Sequence, residues 1–196
     1  AYGLEPKRIG EEVAYGVFDF GGGTTDFDFG VEYVPENGRR KFVIEQFGFG
    51  SDMYLGGENI LELLAYEVFK DNLAEMRRHK ITFALPPESE TFAGAEALVR
   101  ETRDAASHLN NKILAERLRP FWERRAGYEE FAAGDGFDTK ITLFSSEKTG
   151  NAGNRAEIRL HIDVRKLERT LEERIRRGVD NFFQAMAAAF KGRDVR

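Results

Sequence analysis

The sequence predicts an α+β chain: an antiparallel sheet first, then helices, then a small β-hairpin and a closing helix. Three observations carry this. The first fifty residues are apolar runs broken by glycine and Asn-Gly turns. Apolar residues recur at helical spacing after Gly57 and again after Asp163. Between them, two short alternating runs flank the segment Gly150-Asn151-Ala152-Gly153-Asn154.

The elements follow in order. After a polar connector, Pro6 to Glu12, strands are expected at about 13–20, 24–34 and 40–49, the last two joined at Pro35-Glu36-Asn37-Gly38. Apolar residues on both faces near the start suggest a covered sheet. Gly48 to Asp52 reads as a flexible connector, and Leu55-Gly56-Gly57-Glu58-Asn59 opens a helix. Ile60, Leu63, Leu64 and Val68 form its stripe, with Glu67 at the edge. Leu85-Pro86-Pro87 stops that segment. A long helix is expected from about 93 to 119, with Leu98, Thr102, Ala105, Leu109, Ile113 and Leu114 on one face and Pro120 ending or kinking it. Tyr128 to Asp138 reads as loop. Strands at about 139–145 and 156–163 make a hairpin around the loop Ser146–Arg155. The last helix starts at Asp163, a good cap, with Val164, Leu167, Leu171 and Ile175 and then Val179, Phe182, Phe183, Met186 and Phe190 on its stripe. The chain divides into two subdomains, 1–55 with 164–196 and 56–163.

Composition narrows the classes. The chain has 196 residues, 41% hydrophobic and 32% charged, which suits a soluble domain with a core. A net charge of −5 argues against general nucleic-acid binding. The absence of cysteine excludes disulfides and thiolate metal sites and fits a reducing compartment, here expected to be the cytoplasm. No apolar run reaches the roughly 18 residues of a membrane helix, so no membrane partner is expected. His79, His108 and His161 have no ligand spacing. Arg174-Ile175-Arg176-Arg177 reads as a solvated face, and Trp122 as packing.

The chemistry concentrates in Asp19-Phe20-Gly21-Gly22-Gly23-Thr24-Thr25-Asp26. A hairpin tip without side chains lets backbone N–H groups close on an anion. The flanking aspartates would repel a bare phosphate, so they imply a cation or a water between. A tight turn needs one or two glycines and no such acids. Phosphate-binding turn plus carboxylates is the chemistry of a nucleotide triphosphatase. Gly56, Gly57 and Glu58, just ahead of a helix, are a second candidate anion contact, or simply an acidic first turn.

Four segments together resemble the nucleotide-binding domain of the DnaK-type seventy-kilodalton heat-shock chaperones. Ala1-Tyr2-Gly3-Leu4 looks like the end of a helix in a longer chain. Val17-Phe18-Asp19-Phe20-Gly21-Gly22-Gly23-Thr24-Thr25-Asp26 is similar to the family's second phosphate motif. Leu55-Gly56-Gly57-Glu58-Asn59 resembles the start of its next long helix, and Ile158–Arg165 with Leu167-Glu168 the return from its peripheral subdomain. The resemblance implies a partial actin-like ATPase fold, corresponding to most of the second lobe. It implies that Gly21, Gly22, Gly23 and Thr24 contact the β- and γ-phosphates of ATP, and that Gly57 and Glu58 line the phosphate and sugar side. Asp19 and Asp26 would act as catalytic carboxylates through magnesium, a monovalent cation or the attacking water. Thr25 stands where a bulky apolar residue is usual, and Asn59 where an aspartate is usual. No adenine contact is carried over to Arg117, Arg119, Glu123 or Arg124.

In a complete protein, hydrolysis would drive binding and release of a client peptide, with the first ATPase lobe, clients and co-chaperones as partners. With the first lobe missing, these residues alone are expected to be inactive or nearly so. A sugar kinase or actin-like filament ATPase of the same superfamily is an alternative. So is a non-catalytic interaction module using the divergent 80–155 region.

Overall fold

The computed structural model describes residues 6, 8–37, 40–100, 104–146 and 154–192. Ala1–Leu4, Gly38, Thr102 and most of the 146–155 loop lie outside the described residues. The fold is α+β, with antiparallel sheets and several helices. It divides into two compact units, 1–56 with 175–196 and 57–174.

The first unit is built on a meander of β1 (Glu12–Phe20), β2 (Thr25–Tyr33) and β3 (Val43–Asp52), in the order β1-β2-β3. Gly48 to Asp52 is therefore strand, and not a connector. It pairs with β2 from Phe29 to Thr25 across a register shift at Phe29/Gly30. The register places Phe18 opposite Phe27 and Gly16 opposite Phe29, so these side chains share one face. That face is covered by the second half of the last helix, α5 (Val164–Phe190). Phe182 packs edge-on against Phe27 at 5.4 Å between ring centroids and tilted against Phe29 at 5.1 Å. Gly48 and Gly50 let the helix come close, since Cβ atoms there would lie 2.3 Å and 3.3 Å from the Ala189 and Ala185 methyls. The opposite face is open. Phe49 is 86% exposed and Val17 46%, so the expectation of a sheet covered on both sides does not hold for the described residues.

The second unit holds α1 (Gly57–Asp71), α2 (Leu73–Arg78), β4 (Phe83–Ala84), β5 (Val99–Arg100), α3 (Ala105–Glu123), α4 (Tyr128–Ala132), β6 (Gly136–Phe144), β7 (Arg155–Asp163) and the first turns of α5. β6 and β7 form the expected antiparallel hairpin. Ile141, Leu143, Ile158, Leu160 and Ile162 alternate into the core from it. Asp163 caps α5, accepting the Lys166 N–H at Oδ1, 2.9 Å.

Three buried asparagines tie helices to strand edges. Asn110 accepts the Phe144 N–H (2.7 Å) and donates to the Phe144 and Thr82 carbonyls (2.8 and 2.9 Å). Asn111 pairs with both backbone groups of Ala84 at 2.9 and 3.0 Å. Asn72 pairs with both of His161 at 2.7 and 2.8 Å. Each amide supplies a donor and an acceptor, so it completes a strand edge as a neighbouring strand would.

The long helix expected at 93–119 is shorter and later. Phe92 to Leu98 turns, β5 follows in parallel with β4, and α3 starts at Ala105 on the Asp104 cap, which accepts the Ser107 N–H at 2.7 Å. Its buried face is Ser107, Asn110, Asn111, Leu114, Ala115, Leu118 and Phe121; Leu109 is 40% exposed. Pro120 lies within the helix, which ends at Arg124 in the left-handed region. The 128–138 stretch is α4 and the start of β6, and not loop. α5 also departs from its expected stripe. Arg174 and Gly178 are buried, whereas Ile175, Val179 and Phe183 are exposed. Arg174 therefore does not belong to a solvated face. Gly178 is buried because Leu55 fills its place: a Cβ there would lie 2.1 Å from Leu55 Cδ2.

Candidate functional site

β1 and β2 end in the turn Gly21–Thr24, closed by the Gly21 N–H donating to the Thr24 carbonyl at 2.8 Å. The pairing that brings Phe20 opposite Thr25 puts Asp19 directly opposite Asp26. Both carboxylates are exposed and lie on the open face of the sheet, with Asp28 further down the same face. Like charges across a strand pair destabilise it, so the register, fixed by the phenylalanines on the α5 face, imposes this juxtaposition.

The three glycines are exposed, and none has a positive φ. Cβ atoms on Gly22 and Gly23 would meet nothing within 4 Å. Neither backbone conformation nor packing in the chain therefore demands glycine at these two positions.

Behind the turn sits Gly56. A Cβ there would lie 2.3 Å from the Gly23 carbonyl carbon and 2.6 Å from the Gly22 carbonyl oxygen. The Asp52–Gly56 connector is fixed for this contact. Thr25, fully buried, donates its hydroxyl to the Leu55 carbonyl. Asp52 accepts the Tyr54 N–H and the Asn181 side-chain amide, both at 3.1 Å. Thr25 thus has a polar task that a bulky apolar residue could not perform. The sequence offered Gly56 as a candidate anion contact; for the bond that fixes its connector the signal was a threonine inside an apolar strand.

Gly57 and Glu58 open α1 in the second unit. A Cβ on Gly57 would be 3.4 Å from Trp122 Nε1. The Glu58 carboxylate is bound by Arg119, which donates from both terminal nitrogens at 2.9 and 3.0 Å. The same guanidinium donates to Glu116 and Glu123. These bonds, Glu116 first and then Glu58, raise the Arg119 pKa, while Arg119 lowers that of Glu116. Glu67, expected at the stripe edge, is buried and pairs with Lys70 and with Lys166, the latter at 3.0 Å.

Asp19 and Asp26 are hard oxygen donors of the kind that hold magnesium through its waters. Among the described residues no group of three or more histidine, aspartate or glutamate side chains is placed to hold a metal ion directly. Among the same residues no helix is long and apolar enough to cross a membrane. Comparisons of the chain with protein-family models and with curated proteins found no match.

Proposed function

We propose that the chain is part of a DnaK-like chaperone ATPase and that Gly21–Thr24 is a phosphate-binding turn of its ATP site. The observation that carries this is the open space in front of Gly22 and Gly23. A residue type that the fold does not require there is explained by a ligand that must approach the backbone closely. Gly56 supports the turn from behind, and the Asp19–Asp26 pair stands beside it.

On this reading the backbone and Thr24 hold the γ-phosphate, and Asp19 or Asp26 orients the attacking water. Magnesium, when bound, neutralises charge on the phosphates, and the two carboxylates hold it through water. Gly57 and Glu58 belong to the nucleotide side of α1. Catalysis would come from positioning and electrostatics. The actin-like fold, the cytoplasmic location, and the first lobe, clients and co-chaperones as partners belong to the same proposal.

Calorimetric titration of the protein with ATP and magnesium tests it. Saturable binding is expected, weakened about tenfold or more by Asp19→Ala and by Gly22→Val, as loss of a charge-assisted contact would give, with circular dichroism unchanged. No binding, together with no effect of Asp19→Ala on function, sinks the reading and favours an interaction module.

A further inference from the structure

Asp52 closes β3 and is 7% exposed. A buried carboxylate is tolerated only where its oxygens are hydrogen-bonded. Its two oxygens have different partners. Oδ1 accepts the Tyr54 N–H at 3.1 Å, and the Asp52 carbonyl accepts the Leu55 N–H at 3.4 Å, which together make the turn from Asp52 to Leu55. Oδ2 accepts the Asn181 side-chain amide of α5, also at 3.1 Å. The turn is made without that last bond; what the bond adds is an anchor on the helix.

α5 holds the same connector at a second point. Gly178 and Asn181 are three residues apart and so lie on one face of the helix. Leu55 is buried against Gly178, where a Cβ would stand 2.1 Å from Leu55 Cδ2. From the sheet, Thr25 donates to the Leu55 carbonyl. The next residue, Gly56, stands against the backbone of Gly22 and Gly23. Asn181 is thus joined to the glycine turn through Asp52 and the four residues that follow it. Asparagine is a weak helix former. Neither the helical backbone of α5 nor its aromatic packing on the sheet calls for one at 181, and the bond to Asp52 accounts for it.

We propose that Asn181 is a positioning residue of the phosphate turn. Through Asp52 it fixes the place of the Asp52–Gly56 connector along α5, and the connector fixes where the Gly22–Gly23 backbone meets a phosphate. The coupling is reciprocal: a phosphate that draws on the turn also draws on the Asn181–Asp52 bond. This rests on the phosphate reading and adds to it a residue of α5 that touches no ligand.

The test uses the whole chain and two readouts. The amide resonances of Gly21 to Thr24 report where the turn stands without nucleotide, and calorimetry with ATP and magnesium reports affinity. Asn181→Ala removes the amide and supplies a better helix former, so stability should change little. The Gly22 and Gly23 resonances should shift, and ATP affinity should fall about fivefold or more, the scale of a coupling between sites. Asn181→Asp sets a second carboxylate against Asp52 and should weaken ATP further. Combining it with Asp52→Asn exchanges donor and acceptor, because an amide at 52 can still accept the Tyr54 N–H while donating to α5; most of the affinity should return. Asn110→Leu, which loosens the second unit, should move neither readout. If the parent binds ATP and Asn181→Ala binds it equally with the turn resonances in place, the proposal is overturned and the phosphate reading stands. A loss of affinity that Asn110→Leu matches, or that persists in a folded exchanged pair, makes Asn181 merely structural and overturns it too. A parent that does not bind ATP removes the phosphate reading itself, and the proposal falls with it.

Discussion

Gly56 touches Gly23 backbone to backbone: a Cβ on Gly56 would stand 2.3 Å from the Gly23 carbonyl carbon and 2.6 Å from its Cα. Real Cβ atoms do not approach backbone so closely, and neither partner is the loose end of a side chain. Gly56→Ala must therefore displace either the turn or the connector held by Thr25 and Asp52. Overpacking of this kind costs about 1–3 kcal/mol. Gly22→Ala adds its methyl to open space and should leave stability within about 0.5 kcal/mol. Urea denaturation of the two variants gives the comparison. On the phosphate reading both weaken ATP, Gly56→Ala through the turn's position and Gly22→Ala through the ligand's approach. Equal stability of the two variants would contradict the packing argument.

Asn110 is the second test, because its side chain satisfies three backbone groups on two segments. Asn110→Leu keeps the volume and removes all three bonds. A buried group left unpaired costs about 1–3 kcal/mol, so a loss of about 3 kcal/mol is expected with three groups affected. Faster hydrogen exchange at the Phe144 amide locates the loss at the strand edge. A leucine variant as stable as the parent would mean that water or a shift of α3 replaces the amide.

These asparagines also explain what the sequence concealed. The meander was legible because the apolar runs Val13–Phe20 and Phe27–Val34 flank a glycine turn, and the hairpin because Ile141, Leu143, Ile158 and Leu160 alternate on their strands. α3 was misplaced because Ser107, Asn110 and Asn111 occupy its buried face. Polar residues there look like a surface, so Leu98, Thr102 and Leu109 offered a false stripe. The stripe of α5 was misplaced for the complementary reason: an arginine and a glycine, Arg174 and Gly178, are buried where apolar residues would be sought. At the candidate site, the motif from Asp19 to Asp26 was legible as composition. The bonds from Thr25 to Leu55 and from Asn181 to Asp52 depend on tertiary approach and left no local pattern.

Tyr66 sets an alkaline limit. Its ring stacks with Phe69 and Phe83, and its hydroxyl donates to the Glu90 carbonyl at 2.9 Å. Burial, and then the Glu67 charge, push its pKa from 10.0 up to about 12. A folded pKa above the unfolded one gives stability that is whole below about pH 10 and is lost as pH rises through about 12. Lys166 acts in the same sense. Burial alone would lower its pKa, but hydrogen bonds to Asp71 and Glu67 prevail and raise it above 10.5. Ultraviolet titration separates the two: Tyr66→Phe lacks a late-ionising phenol of the parent and keeps that of Tyr15, which burial and the Asp28 charge also raise. Whatever alkaline loss persists in Tyr66→Phe belongs to Lys166 and the remaining groups. A parent whose phenols all ionise together near pH 10 would contradict the burial of Tyr66.

Glu58 separates a structural role from a ligand role. Its ion pair with Arg119 is bidentate, but the Glu58 side chain is 60% exposed and Arg119 keeps Glu116 and Glu123 without it. An exposed pair contributes about 0.2–1 kcal/mol, and the two remaining carboxylates retain much of that for Arg119. Glu58→Gln should therefore shift the unfolding midpoint only slightly. Arg119→Met, in contrast, leaves three carboxylates, Glu58, Glu116 and Glu123, without their shared cation. It should destabilise more than Glu58→Gln, with the difference shrinking as salt screens the acids. If Glu58 also serves the nucleotide, Glu58→Gln lowers ATP affinity at nearly unchanged stability, a separation that calorimetry and denaturation together resolve. A stability loss from Glu58→Gln as large as that from Arg119→Met would make the pair itself the structural element and remove the reason to assign Glu58 a ligand.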